Sequence, residues 1–497
     1  MSKLQLIGYL VTPELFRDCY QQFILARSPL PEAPGWQVKR LSGYWLAHHE
    51  SLNVVAVCSA EGTPLGVLLG DPVGQTGLQR DDVILSNVSS ANPDESVIEN
   101  WLYSFGGRWA CIILCDRFQR IYIDPLGSLG VVYKPEAESA ASTTSLLGTW
   151  QLPLGVFPAN RPMQCFPAGL THDKSIQRLL PNHYLDLSSW RAVRHYPKEP
   201  VKYCEPDELA EIGSAIAQRI RSVVMGISSA GKVCLGLTSG YDSRMLLAAS
   251  RGIKDDLLCV TFDYGTQTWM NRVDLHISKS IAKRFKLRHQ VLPVPPEVSP
   301  EVCMHYWQRI GFAGGYGKAR DFYEALRHLA VRTFLVGFGI DLTRSRFVGR
   351  IETQQAIDPV KLLAALEVEP YPDFIQHVQN WINGLPTSHL ALIADLAWIE
   401  LQCGCWESIH MYGCGLAQCV TPGTDREIIQ NIMRVPPEIR KTGALCRAVI
   451  AAMWPELNQF PFHNFTGPRR WLERARRALS DPSRILAVCR RSNGKTQ

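Results

Sequence analysis

Long apolar runs are missing from this chain. Hydrophobic residues make up 46% of its 497 positions, yet no uninterrupted stretch approaches the roughly 20 residues of a bilayer-spanning helix, which excludes a helical membrane span. An export signal is missing too, because residues 1–11 are too short and too quickly followed by polar ones. The expected location is the cytoplasm. The 15 cysteines are odd in number, with Cys111, Cys115, Cys234 and Cys259 inside apolar runs, so they read as reduced core thiols rather than a disulfide framework. Cys403, Cys405, Cys414 and Cys419 lack the spacing of paired zinc knuckles. Neither an internal repeat nor a low-complexity tract is present, which excludes a solenoid or a biased scaffold. Charge is sparse as well, at 20% of residues. The net +6 belongs to the tail, where nine Arg or Lys stand against Glu473 and Asp481 over residues 468–497. That tail reads as a solvated helix and frayed end, with docking to an acidic partner, a carrier or nucleic acid as the alternative. The length calls for two or three domains.

One familiar phosphate loop is also lacking. Residues 226–232 nearly spell GxxxxGK[ST], but Val233 stands where a magnesium-binding hydroxyl belongs, and the stretch follows a helix and opens a strand, the reverse of what that loop needs. It reads as a turn. What is present follows at once. Residues 233–237 have the length of a buried parallel strand, Thr238, Ser239 and Gly240 form a tight turn, and an apolar helix starts near Ser243. Such a turn leaves backbone N–H groups and hydroxyls at the positive end of a helix dipole, where a polyphosphate binds well. A carboxylate repels phosphate, so Asp242 makes sense as a holder of Mg²⁺ bridging the phosphates.

The first 200 residues carry short β-type runs at 4–11, 43–48, 54–58, 109–114, 121–123 and 131–133, punctuated by Gly, Pro and Asp, and predict a largely antiparallel sheet domain. The second part alternates. A helix over 207–224 aligns Leu209, Ile212, Ile216, Ile220 and Val223; strands follow at 233–237, 257–262, 290–294 and 333–336, with a helix carrying Ile277, Ile281 and Phe285 between them. This pattern predicts a doubly wound parallel sheet. From about residue 365 the chain reads as helical, most clearly at 390–406 and Ala444–Met453, and the boundary between parts falls in 196–206. Ligands of such sheets bind beyond the carboxyl ends of the strands, so residues 238–243 and 337–341 share one crevice. Asp242 and Asp341 would then share the magnesium of ATP or pyrophosphate, a helix cap being the alternative for Asp341.

Thr238, Ser239, Gly240, Tyr241, Asp242 and Ser243 resemble the SGGxDS loop of the ATP pyrophosphatases. Gly337, Phe338, Gly339, Ile340 and Asp341 resemble the GxGxD signature of the synthetase domain shared by asparagine synthetases, β-lactam synthetases and lasso-peptide cyclases. Asp274 and His289 fall where that family has an acidic residue opening a helix and a histidine entering the next strand. Pro422, Asp425 and Arg426 are similar to its P, two residues, D, R segment, and residues 440–455 to the basic stretch and helix completing the site. Gly107 and Arg108, then Asp124, Pro125, Leu126 and Gly127, then Ser142 and Thr143 resemble the glutaminase-like sandwich of the same proteins. The resemblance implies an α+β fold over residues 1–200, a degenerate Ntn-hydrolase-like sandwich. Over 201–497 it implies an α/β doubly wound parallel-sheet synthetase domain, adenine nucleotide α-hydrolase-like, with a helical C-terminal part.

The activity so implied is a two-step ligation with ATP and Mg²⁺: a carboxylate is adenylated, pyrophosphate leaves, and an amine displaces AMP. By motif position Gly236, Leu237, residues 238–243, Val260, Gly337, Phe338 and Gly339 would hold the nucleotide, and Asp242 and Asp341 the metal. Lys441 or Arg440 would bring a cation to the adenylate, a surface lysine being the alternative. Three departures shape the expectation. Position 2 is Ser, not the N-terminal Cys of glutamine-hydrolysing members, so the nitrogen is expected from ammonia or from an amine on the substrate. Phe338 replaces the Glu or Tyr that helps deprotonate the amine, so either the amine arrives neutral or another base, Glu400 or Glu407, takes its proton. After Asp341 come Leu342, Thr343, Arg344, Ser345 and Arg346, whose arginines bind an anion or lie on the surface. The expected reaction is intramolecular closure of a small molecule or peptide, lasso-cyclase or lactam-synthetase-like. The alternatives are glutamine- or ammonia-dependent amidation of a small carboxylate, or a non-catalytic relative that binds nucleotide or peptide. Expected partners are the carboxylate substrate and, if that is a peptide, its precursor and a companion processing protein; neither membrane nor nucleic acid is expected.

Overall fold

A computed structural model describes residues 4–6, 9–11, 19–147, 166–199, 201–265, 268–311, 323–326, 328–329, 331–345, 347–351, 357–413, 418–465, 468 and 472. Position 2 and nearly all of the basic tail lie outside the described residues.

Up to residue 194, β-prone runs pair into a six-stranded and an eight-stranded sheet, antiparallel except where Val54–Ser59 meets Val83–Leu85. Alternation along each strand decides how they stack. In Phe23–Ala26 of the smaller sheet, Phe23 and Leu25 meet Leu69, Ile112 and Ile121 of the larger one, while Ile24 and Ala26 turn outward beneath Trp36, Leu146 and Ile176. The other outer face is covered by the helix Glu95–Leu102, which lays Ile98 and Leu102 against Val55, Leu68 and Ile113. The result is a two-sheet sandwich with apolar packing on both outer faces as well as between the sheets.

Beyond the linker, α1 (Leu209–Ser228) buries Ile212, Ile216, Ile220 and Val223 as their spacing predicts. It starts after a 3-10 turn, Pro206–Glu208, closed by a capping box between Glu205 and Glu208. Then come β1 (Val233–Gly236), α2 (Tyr241–Ala249), β2 (Leu258–Asp263), α3 (Trp269–Phe285), β3 (Arg288–Pro293), β4 (Thr333–Leu335) and, after a helical region, β5 (Gln418–Val420). All pair in parallel in the order β3-β2-β1-β4-β5. The order reverses between β1 and β4, whose residues Leu235 and Leu335 are in register, and a crevice beyond their carboxyl ends is where such sheets take ligands. The stretch expected as one helix is two, α4 (Leu390–Ala397) and α5 (Gly404–Gly413), joined by a π-helical stretch, Trp398–Cys403. The helix α6 (Ala444–Met453) packs on α1 and α2. Among the described residues no helix is long and apolar enough to cross a membrane.

The sandwich and the parallel sheet interlock. Arg219 of α1 pairs with Asp425 and donates to the Ser104 carbonyl at 3.1 Å, and Tyr412 of α5 donates to the Leu129 carbonyl. The turn after Ile123 is held by buried Asp124, which accepts from the N–H groups of Leu126 (3.1 Å) and Ser128 (2.9 Å).

Candidate functional site

The loop between β1 and α2 is tied down by its own hydroxyls. Thr238 donates its N–H to Ser243 Oγ at 3.1 Å, the two hydroxyls lie 2.9 Å apart, and the Gly240 N–H reaches Thr238 Oγ1 at 3.2 Å. Ser239 donates both N–H and Oγ–H to Asp274 of α3, at 2.8 and 2.6 Å. Underneath, the fully buried Arg244 donates to the carbonyls of Ser239 (3.0 Å), Phe460 (2.8 Å) and Pro461, with the Phe462 ring 3.9 Å from its guanidinium; burial pushes that guanidinium down to about 9. Leu237 N–H goes to the Val260 carbonyl at 2.7 Å, so Val260 adjoins the loop through its main chain. His289 lies 2.8 Å from Thr261 Oγ1, which donates to the Leu237 carbonyl at 2.8 Å, and the ring is pushed below its ordinary range by burial and by Lys279. The helix α2 opens at Gly240 with no side-chain cap, and the first-turn N–H groups of a helix have no partner within the helix itself.

The second turn fits against the first. A Cβ on Gly337 would stand 2.7 Å from Asp242 Cβ, so only glycine lets the two strand ends meet. Gly339, at φ +73°, has Leu126 of the sandwich where a Cβ would project. Residues Ile340–Arg344 form a 3-10 turn, in which positions three apart eclipse, putting Asp341 and Arg344 on one side. Arg344 is ion-paired with Asp242, and Asp341 Oδ1 accepts from Trp398 Nε1 at 3.3 Å. Arg344 thus ties the second turn to Asp242, while Asp341 lines a small recess with Leu342, Asp395 and Trp398. The Phe338 ring lies 4.5 Å from that of His410, whose imidazole burial pushes down to about 4. Also on α5, Glu407 is fully buried with neither oxygen hydrogen-bonded among the described residues. Burial, then Asp341 and Asp124, push its carboxyl well above the usual range.

Other residues singled out in the sequence stand elsewhere. Arg440 does not face the loop: fully buried, it forks onto Asp395 at 3.2 and 2.6 Å and donates to the Leu342 and Val435 carbonyls. Glu400 is likewise engaged, accepting from Asn182 (2.7 Å), from both Nη atoms of Arg194 (2.6 Å each) and from Trp381 Nε1 (2.7 Å). Lys441 is exposed at the end of Pro437–Lys441. Besides Arg244 and Arg344, Arg447 of α6 touches the loop, with Nη1 3.1 Å from Tyr241 Oη; it lies inside the basic stretch flagged in the sequence, but its register there had no local signal. Residues 460–465 were not anticipated at all. Phe462 stacks on Tyr241 with centroids 4.0 Å apart, and the His463 N–H donates to the Ser239 carbonyl at 3.3 Å.

A cavity of about 480 Å³ lies away from this crevice, at the linker, between Tyr103, His195, Tyr196, Lys198 and Arg434. The loop chemistry, not that volume, marks the candidate site; of the cavity's basic residues Lys198, Lys202 and Arg434, Lys198 is paired with Glu99 and Arg434 with Glu208. Among the described residues no group of three or more His, Cys, Asp or Glu is placed to hold a metal by itself. A carboxylate at the loop, Asp242, suits magnesium, which takes one or two carboxylates and completes its shell with phosphate oxygens and water. No protein-family model matches the chain, and no curated protein matches it.

Proposed function

We propose that the chain is an ATP-dependent, AMP- and pyrophosphate-forming carbon–nitrogen ligase of the asparagine synthetase, β-lactam synthetase and lasso-cyclase type. In this reading the sandwich is a degenerate Ntn-hydrolase-like domain, and the parallel sheet an adenine nucleotide α-hydrolase-like synthetase domain. The observation that supports it is the contact between the ends of β1 and β4, where Gly337 abuts Asp242 and Arg344 of the following turn pairs with Asp242, at the point where strand order reverses.

A substrate carboxylate oxygen attacks the α-phosphorus of ATP, the bond to the bridging oxygen breaks, and pyrophosphate leaves. The first-turn N–H groups of α2, the hydroxyls of Thr238 and Ser243, and Arg447 hold the departing pyrophosphate. Asp242 and Asp341 would hold magnesium, which when bound would neutralise charge on the phosphates. An amine nitrogen then attacks the acyl carbon and AMP departs with the oxygen it received. Phe338 takes no proton and Glu400 is locked in an ion pair, which leaves Glu407, with no hydrogen bond on its carboxyl among the described residues, as the helix carboxyl for the proton of the amine. Carboxylate and amine belong to one substrate, a small molecule or a peptide.

A second reading has its own support: Arg344 on Asp242 and residues 460–465 over the loop resemble a nucleotide-binding relative held closed. Release of pyrophosphate on adding ATP, Mg²⁺ and candidate amino-carboxylates, together with ATP–pyrophosphate exchange, separates the two. Turnover that Asp242→Asn lowers by about 100-fold or more supports the ligase. Nucleotide binding without exchange under any substrate supports the non-catalytic relative.

A further inference from the structure

We propose that Arg344 is a resident counter-cation of the polyphosphate site: without nucleotide it holds the Asp242 carboxylate against free divalent ions, and when a magnesium-loaded polyphosphate arrives it moves onto the phosphate oxygens. This rests on the reading of the crevice as an ATP and pyrophosphate site. Three observations carry it. The Arg344 side chain is only 10% exposed and paired with Asp242, which is 24% exposed at the mouth of the crevice. Its Nε is buried with no hydrogen-bond partner among the described residues, so a donor that is costly to leave unsatisfied stands ready for an incoming anion. The 3-10 turn Ile340–Arg344 carries both Asp341 and Arg344, so the guanidinium that holds Asp242 is anchored on the same turn as the second carboxylate assigned to the metal.

Charge decides what such a site admits. A free divalent ion would meet a carboxylate already neutralised and a guanidinium that repels it, whereas the same ion carried on pyrophosphate arrives with a net negative charge. Arginine keeps its charge at any working pH, and its fork matches phosphate oxygens, so the displaced guanidinium has an immediate acceptor. The metal therefore enters with the polyphosphate rather than ahead of it.

Calorimetric titration of the full chain tests this with three probes: Mn²⁺ alone, inorganic pyrophosphate alone and the Mn²⁺–pyrophosphate complex, on wild type, Arg344→Gln and Arg344→Lys. Wild type is expected to bind the complex far more tightly than Mn²⁺. Arg344→Gln is expected to bind Mn²⁺ at least about tenfold more tightly and the complex at least about tenfold more weakly, with Arg344→Lys between the two. A wild-type unfolding midpoint in Arg344→Gln separates a gain in Mn²⁺ affinity from metal binding by unfolded chain. Unchanged affinities in Arg344→Gln, or a parallel loss of both, overturn the proposal while leaving the ATP site standing. A wild type that binds neither ATP nor any of the three probes overturns the ATP site itself and this proposal with it.

Discussion

Arg440 and Lys441 are neighbours in sequence and opposites in environment. Arg440 is sealed in with Asp395 and also clamps the Leu342 carbonyl, so it fixes the turn that carries Asp341 and Arg344 without reaching a ligand. Lys441 points to the surface. Removing one partner of a buried pair strands the other, which typically costs about 3–5 kcal/mol, whereas an exposed lysine changes stability by about 0.5 kcal/mol or less. Urea unfolding is expected to show the full loss for Arg440→Ala and almost none for Lys441→Ala. Equal midpoints for the two variants would mean that Arg440 is not the anchor of that turn. The same contrast separates the two acidic candidates, since Glu400 has four donors on its oxygens and Glu407 has none among the described residues.

At the level of elements, what was legible in the sequence is what local spacing determines. The helix Ala444–Met453 coincides with its prediction, and β1, β2 and β4 fall within a residue or two of theirs, because a buried parallel strand needs only a short apolar run between turn residues. The strand Pro64–Gly74 was not legible, since Gly66, Gly70 and Pro72 all speak against a strand. Its glycines are required by close approach, a Cβ on Gly66 or Gly70 meeting the carbonyl of Ile112 or Arg108 across the sheet. The π-helical stretch was hidden for a similar reason, as its contacts, Trp398 to Asp341 and Glu400 to Arg194, span many residues. At the crevice the loop and the GxGxD turn were readable as motifs, while Arg344 on Asp242, Arg447 on Tyr241 and residues 460–465 over the loop depend on packing. Gly337 tests the contact between elements. In Gly337→Ala a methyl group 2.7 Å from Asp242 Cβ forces α2 and the turn apart. Pyrophosphate affinity is expected to fall at least about tenfold, with overpacking costing about 1–3 kcal/mol in stability. Wild-type affinity in this variant would refute joint construction of the site by β1 and β4.

For the molecule as a whole, the sandwich is a wall of the crevice and not an appendage, because Leu126 fills the space beside Gly339 and the two parts are joined by buried charge. The centre of that junction is Glu400. Arg194 grips it from the sandwich, Asn182 donates to it while accepting from Arg426 at 2.7 Å, and Arg426 stacks on Tyr196 at 4.0 Å. Burial alone would raise this carboxyl, but Arg194, with His183 and Asn182, outweighs burial and holds it below the ordinary carboxylate range. A group with a depressed folded-state pKa contributes stability that is complete above its unfolded value and is lost as the pH falls through the folded one. Acid should therefore loosen the junction as the pH falls below the ordinary carboxylate range and through the depressed value of Glu400. Unfolding midpoints measured across that range are expected to drop steeply for wild type and more shallowly for Glu400→Gln, which starts about 3–5 kcal/mol lower because Arg194 loses its anion. An identical acid slope in both proteins would show that the junction does not titrate through Glu400. If the slopes differ as expected, nucleotide affinity should fall along the wild-type curve, since loosening the sandwich withdraws Leu126 from the turn that presents Asp341.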